Sequence, residues 1–249
     1  MKMTFKQIAA ATMFVAAGLA QAAPVTINVG GSWNNLTATG SATLSFSADL
    51  LGALDTGKIA LANYGAATST ITKDTDGFYV SASAAAPGTA ITFDDATLNV
   101  LGVATAGGMT LTAPVVKSVS SGGSLTVTDL SANLSNNTIY ATIIGGNGVG
   151  TITNFALWNF ATLTGGTKIE GPGTYNNSIT GLSLTTDGFA KFSQALGLLS
   201  LGKSAMQGIT DYGTISSTIV ATAVPEPSTY ALMGLGLIGM AAAKRRRAA

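Results

Sequence analysis

SLTVTDLSANLSNNTIYATI, residues 124–143, contains two runs in which apolar side chains alternate with polar ones. The runs are residues 124–128 and 138–143, and Leu44–Ser47 and Thr151–Thr153 repeat the pattern. Successive side chains of a strand point to opposite faces, so a period of two that is rich in threonine, valine and isoleucine indicates half-buried β-strands.

Glycine, asparagine and aspartate mark the expected turns between these strands. The candidate turns are Asp76-Gly77, Gly122-Gly123, Gly145–Gly148 and Gly165-Gly166. Their spacing favours an antiparallel sandwich or a β-solenoid over a parallel α/β sheet, and the lack of a fixed repeat period counts against the solenoid. We therefore predict a mainly β fold, an antiparallel β-sandwich-like domain.

A helix is predicted late in the chain. Phe189, Phe192, Leu196 and Leu199 recur at helical spacing after Asp187-Gly188, which is typical of a helix that packs on a sheet or caps it. A shorter helix is predicted around residues 48–54.

The composition excludes most kinds of enzyme active site. The 249 residues include neither histidine nor cysteine, which excludes serine–histidine and cysteine–histidine nucleophile pairs, imidazole and thiolate metal sites, and disulfides. We expect no enzymatic activity, no cofactor and no metal. Asp94-Asp95 leaves a carboxylate-based glycan hydrolase as a minor alternative, although adjacent residues of a strand point to opposite faces.

The first 22 residues have the three regions of a secretory signal peptide. Lys2 and Lys6 precede an apolar stretch from Ile8 to Leu19, and Ala20-Gln21-Ala22 forms a small-residue cleavage site. We expect an N-terminal signal helix that signal peptidase removes before Ala23. A short amphipathic helix is the alternative, but the run has no polar face.

The last 26 residues, 224–249, combine a proline motif, an apolar run and a basic end. Pro225, Glu226 and Pro227 precede the apolar run, which ends at Ala243, and the basic residues then follow as Lys244, Arg245, Arg246 and Arg247. A helix from Ser228 to Ala243 would rise about 24 Å, slightly less than the roughly 30 Å hydrocarbon core of a bilayer. We predict a C-terminal transmembrane helix whose basic residues stop transfer on the cytoplasmic side. The alternatives are a buried helix with a solvated basic tail and a nucleic-acid patch.

This C-terminal segment resembles the PEP-CTERM sorting signal of Gram-negative bacteria that make exopolysaccharide. The resemblance implies that an exosortase, a polytopic membrane protease, recognises Pro225, Glu226 and Pro227 and removes the anchor. The protein would then be anchored transiently in the inner membrane before it reaches the cell surface or the extracellular matrix. Signal peptidase, the exosortase and exopolysaccharide are the partners that the two end signals predict.

Residues 23–223, between the two signals, are predicted to form one exported β-rich domain. Six of the 12 basic residues but only one of the 11 acidic residues, Glu226, lie in the end signals, which leaves this body a formal net charge of −4. It is therefore not expected to bind nucleic acid by charge.

The order of residues 107–199, above all Gly181–Phe192, resembles the end of HtaA-type β-rich surface domains that handle haem. The resemblance implies a β-sandwich with a late helix. It assigns no haem ligand to this chain, which has no histidine.

Three further motifs are explained better by structure than by ligands. Gly197–Ser204 spells a phosphate loop but follows a helical pattern, so Gly202 is predicted to cap a helix end. Asp74–Gly77 and Gly145–Gly150 resemble parts of calcium loops, and both are predicted to be β-turns. An aromatic platform for sugar is a weaker alternative to packing of the aromatic residues in the core. Its candidates are Trp33, Tyr64, Tyr79, Trp158 and Tyr175.

The function predicted from the sequence is that of a non-enzymatic exported protein, structural or adhesive in biofilm. The alternative is a surface module that captures a glycan or haem.

Overall fold

The computed structural model describes residues 24–224, 231–238 and 240. The predicted signal peptide, the Pro225–Pro227 motif and the basic run Lys244–Arg247 lie outside the described residues. Within the described residues, fifteen strands form one continuous sheet in which every pairing is antiparallel. The prediction of a mainly β, antiparallel fold is therefore confirmed.

The strands and helices are numbered in chain order. The strands before the first helix are β1 (Pro24–Asn28), β2 (Ser32–Trp33) and β3 (Leu36–Phe46), and the helix is α1 (Ala48–Thr56). The central strands are β4 (Ala60–Tyr64), β5 (Thr68–Lys73), β6 (Tyr79–Asp94), β7 (Val100–Thr105), β8 (Gly108–Val116), β9 (Ser120–Asn133), β10 (Thr138–Gly145) and β11 (Gly150–Asn159). The remaining elements are β12 (Thr162–Gly165), β13 (Gly173–Thr180), β14 (Ser183–Leu184), α2 (Thr186–Ala195), α3 (Ser200–Gln207) and β15 (Gly213–Ala223). Residues 231–238 and 240 are also helical.

The long strand β6 divides the sheet into two parts. Residues 79–87 pair with β3 and β5, and the sheet continues from β3 through β15 and β13 to β12; we call this part sheet I. Residues 88–94 pair with β1 and β7, and the sheet continues through β9, β10 and β11 to β14; we call this part sheet II. The change of partners occurs at Pro87-Gly88. A Cβ at Gly88 would lie 3.0 Å from the carbonyl oxygen of Gly40, a tight contact, so glycine at this position eases the close approach of the two strands.

Both parts of the sheet contribute to the main hydrophobic core. Ile179 and Ile215 of sheet I lie in the same buried cluster as Leu125 and Ile139 of sheet II, so the two parts face each other. A second, smaller cluster surrounds the stacked rings of Trp33 and Phe93, whose centroids are 4.4 Å apart. Phe192 of the late helix α2 is also a buried member of the main cluster.

The strands predicted from the period of two are found where expected. Residues 44–46 lie in β3, 124–128 in β9, 138–143 in β10 and 151–153 in β11. In β10 the alternation matches burial, since Ile139, Ala141 and Ile143 are buried and Tyr140 and Thr142 are partly exposed. In β9 both faces are covered, because Thr126 and Thr128 are buried as well as Leu125 and Val127.

Two of the predicted turns are confirmed, and one is wrong. Asp76-Gly77 joins β5 to β6, and Gly145–Gly148 begins the connection from β10 to β11. Gly122-Gly123 instead lies inside β9, and the chain reverses earlier, at residues 117–119. The reason is steric, since a Cβ at Gly123 would collide with the carbonyl oxygen of Ala195 at the end of α2. Gly165-Gly166 marks the end of β12.

Both predicted helices exist, but the late one is shorter than its pattern. The α1 helix begins after Ser47, whose Oγ accepts a hydrogen bond from the Leu50 amide at 3.1 Å. The α2 helix begins after Thr185 and ends at Ala195, and Gly197 then adopts a left-handed backbone conformation. Leu196 is buried, whereas Leu199 is 42% exposed, so the prediction that Leu199 belongs to the buried helical face is wrong.

Replacing Leu125 with alanine should lower the free energy of unfolding by about 2–5 kcal/mol, because the fully buried side chain belongs to the core that sheets I and II share. Val115→Ala is the matched control, since Val115 is 79% exposed and its loss should change the free energy by less than about 0.5 kcal/mol. Urea unfolding of both variants measures the difference. Equal losses would contradict the shared core.

Stability should also fall at high pH because of Tyr212. Its buried hydroxyl donates to the Met206 carbonyl at 3.1 Å, and burial raises the pKa of Tyr212 to about 12. The folded state therefore retains a proton that the unfolded state loses near pH 10, and the stabilisation is lost as the pH rises from about 10 to about 12. Tyr212→Phe should reduce the slope of unfolding free energy against pH in this window, whereas the exposed-site control Tyr64→Phe should not. Identical slopes in the two variants would refute this assignment.

Candidate functional site

The last strand among the described residues, β15, ends at Ala223. β15 pairs with β3 along its whole length, from Gly213 opposite Phe46 to Ala223 opposite Leu36. One further hydrogen bond follows, from the Val224 amide to the Asn35 carbonyl at 2.8 Å. The next residue in the sequence is Pro225, which has no amide hydrogen to donate. In the sequence, the proline motif therefore begins at the residue after Val224, whose amide makes the last hydrogen bond along β15 and β3 within residues 24–224.

The large apolar side chains of the helical segment at residues 231–238 and 240 are exposed to solvent. Six of them are between 59% and 70% exposed, namely Leu232, Met233, Leu235, Leu237, Ile238 and Met240. An exposed apolar surface of this kind is typical of a segment that lipid or another protein covers. Within the residues that the structure describes, no helix combines the length and hydropathy of a membrane span. The helix expected from Ser228 to Ala243 is thus found in part, and the transmembrane helix is not confirmed.

A comparison with family models explains this segment. Residues 223–247 match the PEP-CTERM protein-sorting motif. This chain carries a PEP-CTERM sorting motif. The motif marks an exported protein that is anchored transiently in the membrane and processed by an exosortase. Pro225, Glu226 and Pro227, and the basic residues Lys244–Arg247, fall within the matched range, and their individual roles remain predictions.

Comparison with solved structures finds one distant likeness. The fold is similar to the C-terminal domain of HtaA from Corynebacterium glutamicum, with 10% sequence identity and a TM-score of 0.42 over 74% of this chain and 99% of that domain. The likeness agrees with the resemblance seen in Gly181–Phe192 and assigns no function to this chain. No curated protein sequence matches the chain at a significant level.

The phosphate-loop motif does not have the geometry that nucleotide binding needs. Its first residue, Gly197, is in a left-handed turn, and α3 begins at Ser200, so Lys203 and Ser204 lie inside that helix. The prediction that Gly202 caps a helix end is wrong. Gly202 lies within α3, where a Cβ would collide with the carbonyl oxygen of Val119, so its glycine allows the helix to approach the β8–β9 turn.

The two calcium-like motifs are turns held by their own side chains. The Asp74 carboxylate accepts hydrogen bonds from the amides of Asp76 and Phe78, at 3.0 and 2.8 Å. The Asn147 side chain donates to the carbonyls of Gly122 and Ala195, at 2.9 and 3.0 Å. The polar groups of both motifs are thus engaged in tying the chain to itself.

Asp94 and Asp95 have separate structural partners. The Asp94 carboxylate accepts hydrogen bonds from the amides of Thr97 and Ala96, which hold the pKa of Asp94 below its usual value. The Asp95 carboxylate accepts one from the indole Nε1 of Trp33 at 2.9 Å. The two groups therefore stabilise a turn and a buried tryptophan rather than facing a common substrate.

Four of the five aromatic candidates are buried or make hydrogen bonds to the backbone of the body. Trp33 and Trp158 are buried. The hydroxyl of Tyr79 donates to the Ile59 carbonyl and that of Tyr175 to the Gly171 carbonyl. Tyr64 is the exposed member of the set, at 40%. The platform proposed from the sequence is therefore not assembled from these five residues.

Proposed function

We propose that this chain is a non-enzymatic exported protein whose body is released by an exosortase and acts in the extracellular matrix as a structural or adhesive component. The observation that supports this proposal most directly is that the PEP-CTERM match starts at residue 223, where strand β15 ends. The sorting motif therefore begins in the sequence at the residue where the last described strand ends. Signal peptidase acts at the other end, before Ala23, in the same proposal.

Removal of the sorting segment leaves the described core untouched. The two buried clusters extend along β15 as far as Ile215 in the larger and Ala221 in the smaller. No residue after Ala221 belongs to either cluster among the residues that the structure describes. A cut after the sheet thus separates an anchor from a body that keeps all the packing assigned to it.

The surface chemistry of the body supports exopolysaccharide as its surroundings. Threonine hydroxyls pair across neighbouring strands on exposed faces, as in Thr26 with Thr92 at 2.8 Å and Thr37 with Thr222 at 2.7 Å. Thr218 donates in the same way to Asn176 at 2.9 Å. Hydroxyl and amide groups both donate and accept hydrogen bonds, so this surface suits neutral sugar hydroxyls without needing ion pairs.

A surface that captures a glycan is the second proposal. Tyr64 and Phe78 are 40% and 55% exposed, and exposed aromatic rings supply the apolar faces on which sugars stack. Haem, the other ligand of this alternative, has no observation in its favour.

Changing both prolines of the motif should block release. In cells that express the exosortase, Pro225→Ala with Pro227→Ala should leave the body in the inner-membrane fraction, because the proposed recognition motif is gone. Immunoblotting of the membrane, periplasmic and external fractions measures the change. The matched control is Pro172→Ala, at a bend before β13, which should be released like the natural protein. Normal release of the double variant would contradict recognition of this motif.

A further inference from the structure

The outer face of sheet I is built almost entirely of serine and threonine. Residues that pair across neighbouring strands share a face, and the row through Ile179, Ile215 and Leu44 belongs to the main core. The next row points to the opposite face, which is the outer one. It crosses six strands and consists of Thr164, Ser178, Ser216, Thr43, Ala85 and Thr68. Ser178 and Thr43 are partly exposed, and the other members of the row are exposed.

The same chemistry continues along each strand. Every outward residue of β3, at every second position from Thr37 to Ser45, is serine or threonine. The outward residues of β15 follow the same rule apart from Val220, and those of β5, β12 and β13 follow it apart from Asn176. Strands lie about 4.8 Å apart and second residues about 6.7 Å apart. The hydroxyls therefore form a two-dimensional array, which we call the hydroxyl face and which is about 24 Å wide across six strands.

The hydroxyl face carries no charged side chain. Within the strands of sheet I that the structure describes, Lys73 is the one charged residue. Its ammonium group lies 4.1 Å from the centroid of the Tyr79 ring, and Tyr79 packs against the main core. A surface that only has to stay soluble is expected to carry charges at about 25–35% of its positions. The lack of charge on so wide a face therefore needs another cause.

The hydroxyls at the centre of this face are open to a partner. In the described part of the chain, the side-chain hydrogen bonds on this face are Thr37 with Thr222, Thr218 with Asn176, and Thr164 with the Ser178 carbonyl. The hydroxyls of Thr43, Ser178 and Ser216 take no part in them. Each of these hydroxyls can both donate and accept a hydrogen bond.

A neutral polysaccharide has the chemistry that complements this face. Its hydroxyls exchange hydrogen bonds with the serine and threonine hydroxyls, and its C–H groups contact the threonine methyl groups. Docking such a chain removes no charged group from water, a step that would be costly. An acidic polymer, by contrast, would find no cation on this face to pair with.

We propose that the hydroxyl face binds a neutral polysaccharide whose chain lies across the strands, along the rows centred on Thr43 and Ser216. This inference rests on the proposed function, since it names the matrix component that the released body would hold. Each hydrogen bond contributes little by itself. Many of them in one register add up along an extended polymer, as they do for any multivalent contact.

Binding to immobilised polymers tests the proposal. The full-length chain, held in a detergent without a sugar headgroup, is passed over sensors that carry dextran, mannan or alginate, and biolayer interferometry records the binding. The chain should bind at least one of the neutral polymers, dextran and mannan, roughly tenfold more tightly than the acidic polymer alginate. This binding should be the same at low and high salt, because it uses no ion pairs.

Thr43→Val with Ser178→Ala and Ser216→Ala removes the central hydroxyls and nearly preserves the shape of the side chains. Affinity for the neutral polymer should fall by roughly tenfold or more, since each lost hydrogen bond weakens binding by about two- to tenfold. If this variant does not fold, Thr68→Val with Thr164→Val, at the exposed ends of the same row, takes its place. The matched control makes the same types of change at exposed hydroxyls outside sheet I, as Thr153→Val, Ser135→Ala and Ser204→Ala, and it should bind like the natural chain.

Equal affinities of the variant and its control, or a natural chain that binds neither dextran nor mannan, would overturn the inference. A natural chain that sediments as a dimer, while the triple variant of the hydroxyl face sediments as a monomer, would assign the face to a second copy and overturn it as well. Release by the exosortase is measured separately. A chain that is released normally but binds neither neutral polymer therefore overturns this inference and leaves the proposed release intact.

Discussion

The pairing of β15 between β3 and β13 is the constraint on which the rest of the structure depends. β15 is the last strand of the described chain, yet all 11 of its residues pair with β3 in unbroken register. This pairing joins the last described strand to one of the first, and it places Ile215 and Ile219 in the two hydrophobic clusters. In the sequence, the sorting motif starts at residue 223, the last residue of this register.

The same register aligns the rows of the hydroxyl face. Ser216 of β15 stands between Ser178 and Thr43 because its two neighbouring strands are held in register with it. A slip of one residue would turn Ser216 towards the core and Ile215 towards solvent. The outer face and the core of sheet I are therefore set by one pairing.

The sequence predicts the local features of this protein well, because these features leave local patterns. The strands at residues 124–128 and 138–143 follow from alternation, and the α1 helix has a serine cap at Ser47. Both predicted signals rest on composition, and the C-terminal one is matched by the sorting motif. Glycine is less informative, since Gly123 and Gly202 permit close contacts between elements rather than forming a turn or a helix end.

The features that the sequence cannot predict depend on partners far along the chain. Thr43, Ser178 and Ser216 lie far apart in the sequence, and they meet only because three strands align. Leu199 fits the helical spacing of Phe192, but the turn at Gly197 and the start of α3 remove it from the buried face. In each case the outcome depends on tertiary contacts that the local periodicity does not contain.

The intact mass of the mature protein tests the central claim most directly. It should be measured on material isolated from cells with and without the exosortase. With the exosortase present, the account predicts a product that begins at Ala23 and ends within or near the Pro225–Pro227 motif; without it, the product should still carry the basic end. A mature protein that retains Arg247 in cells with an active exosortase would contradict the account.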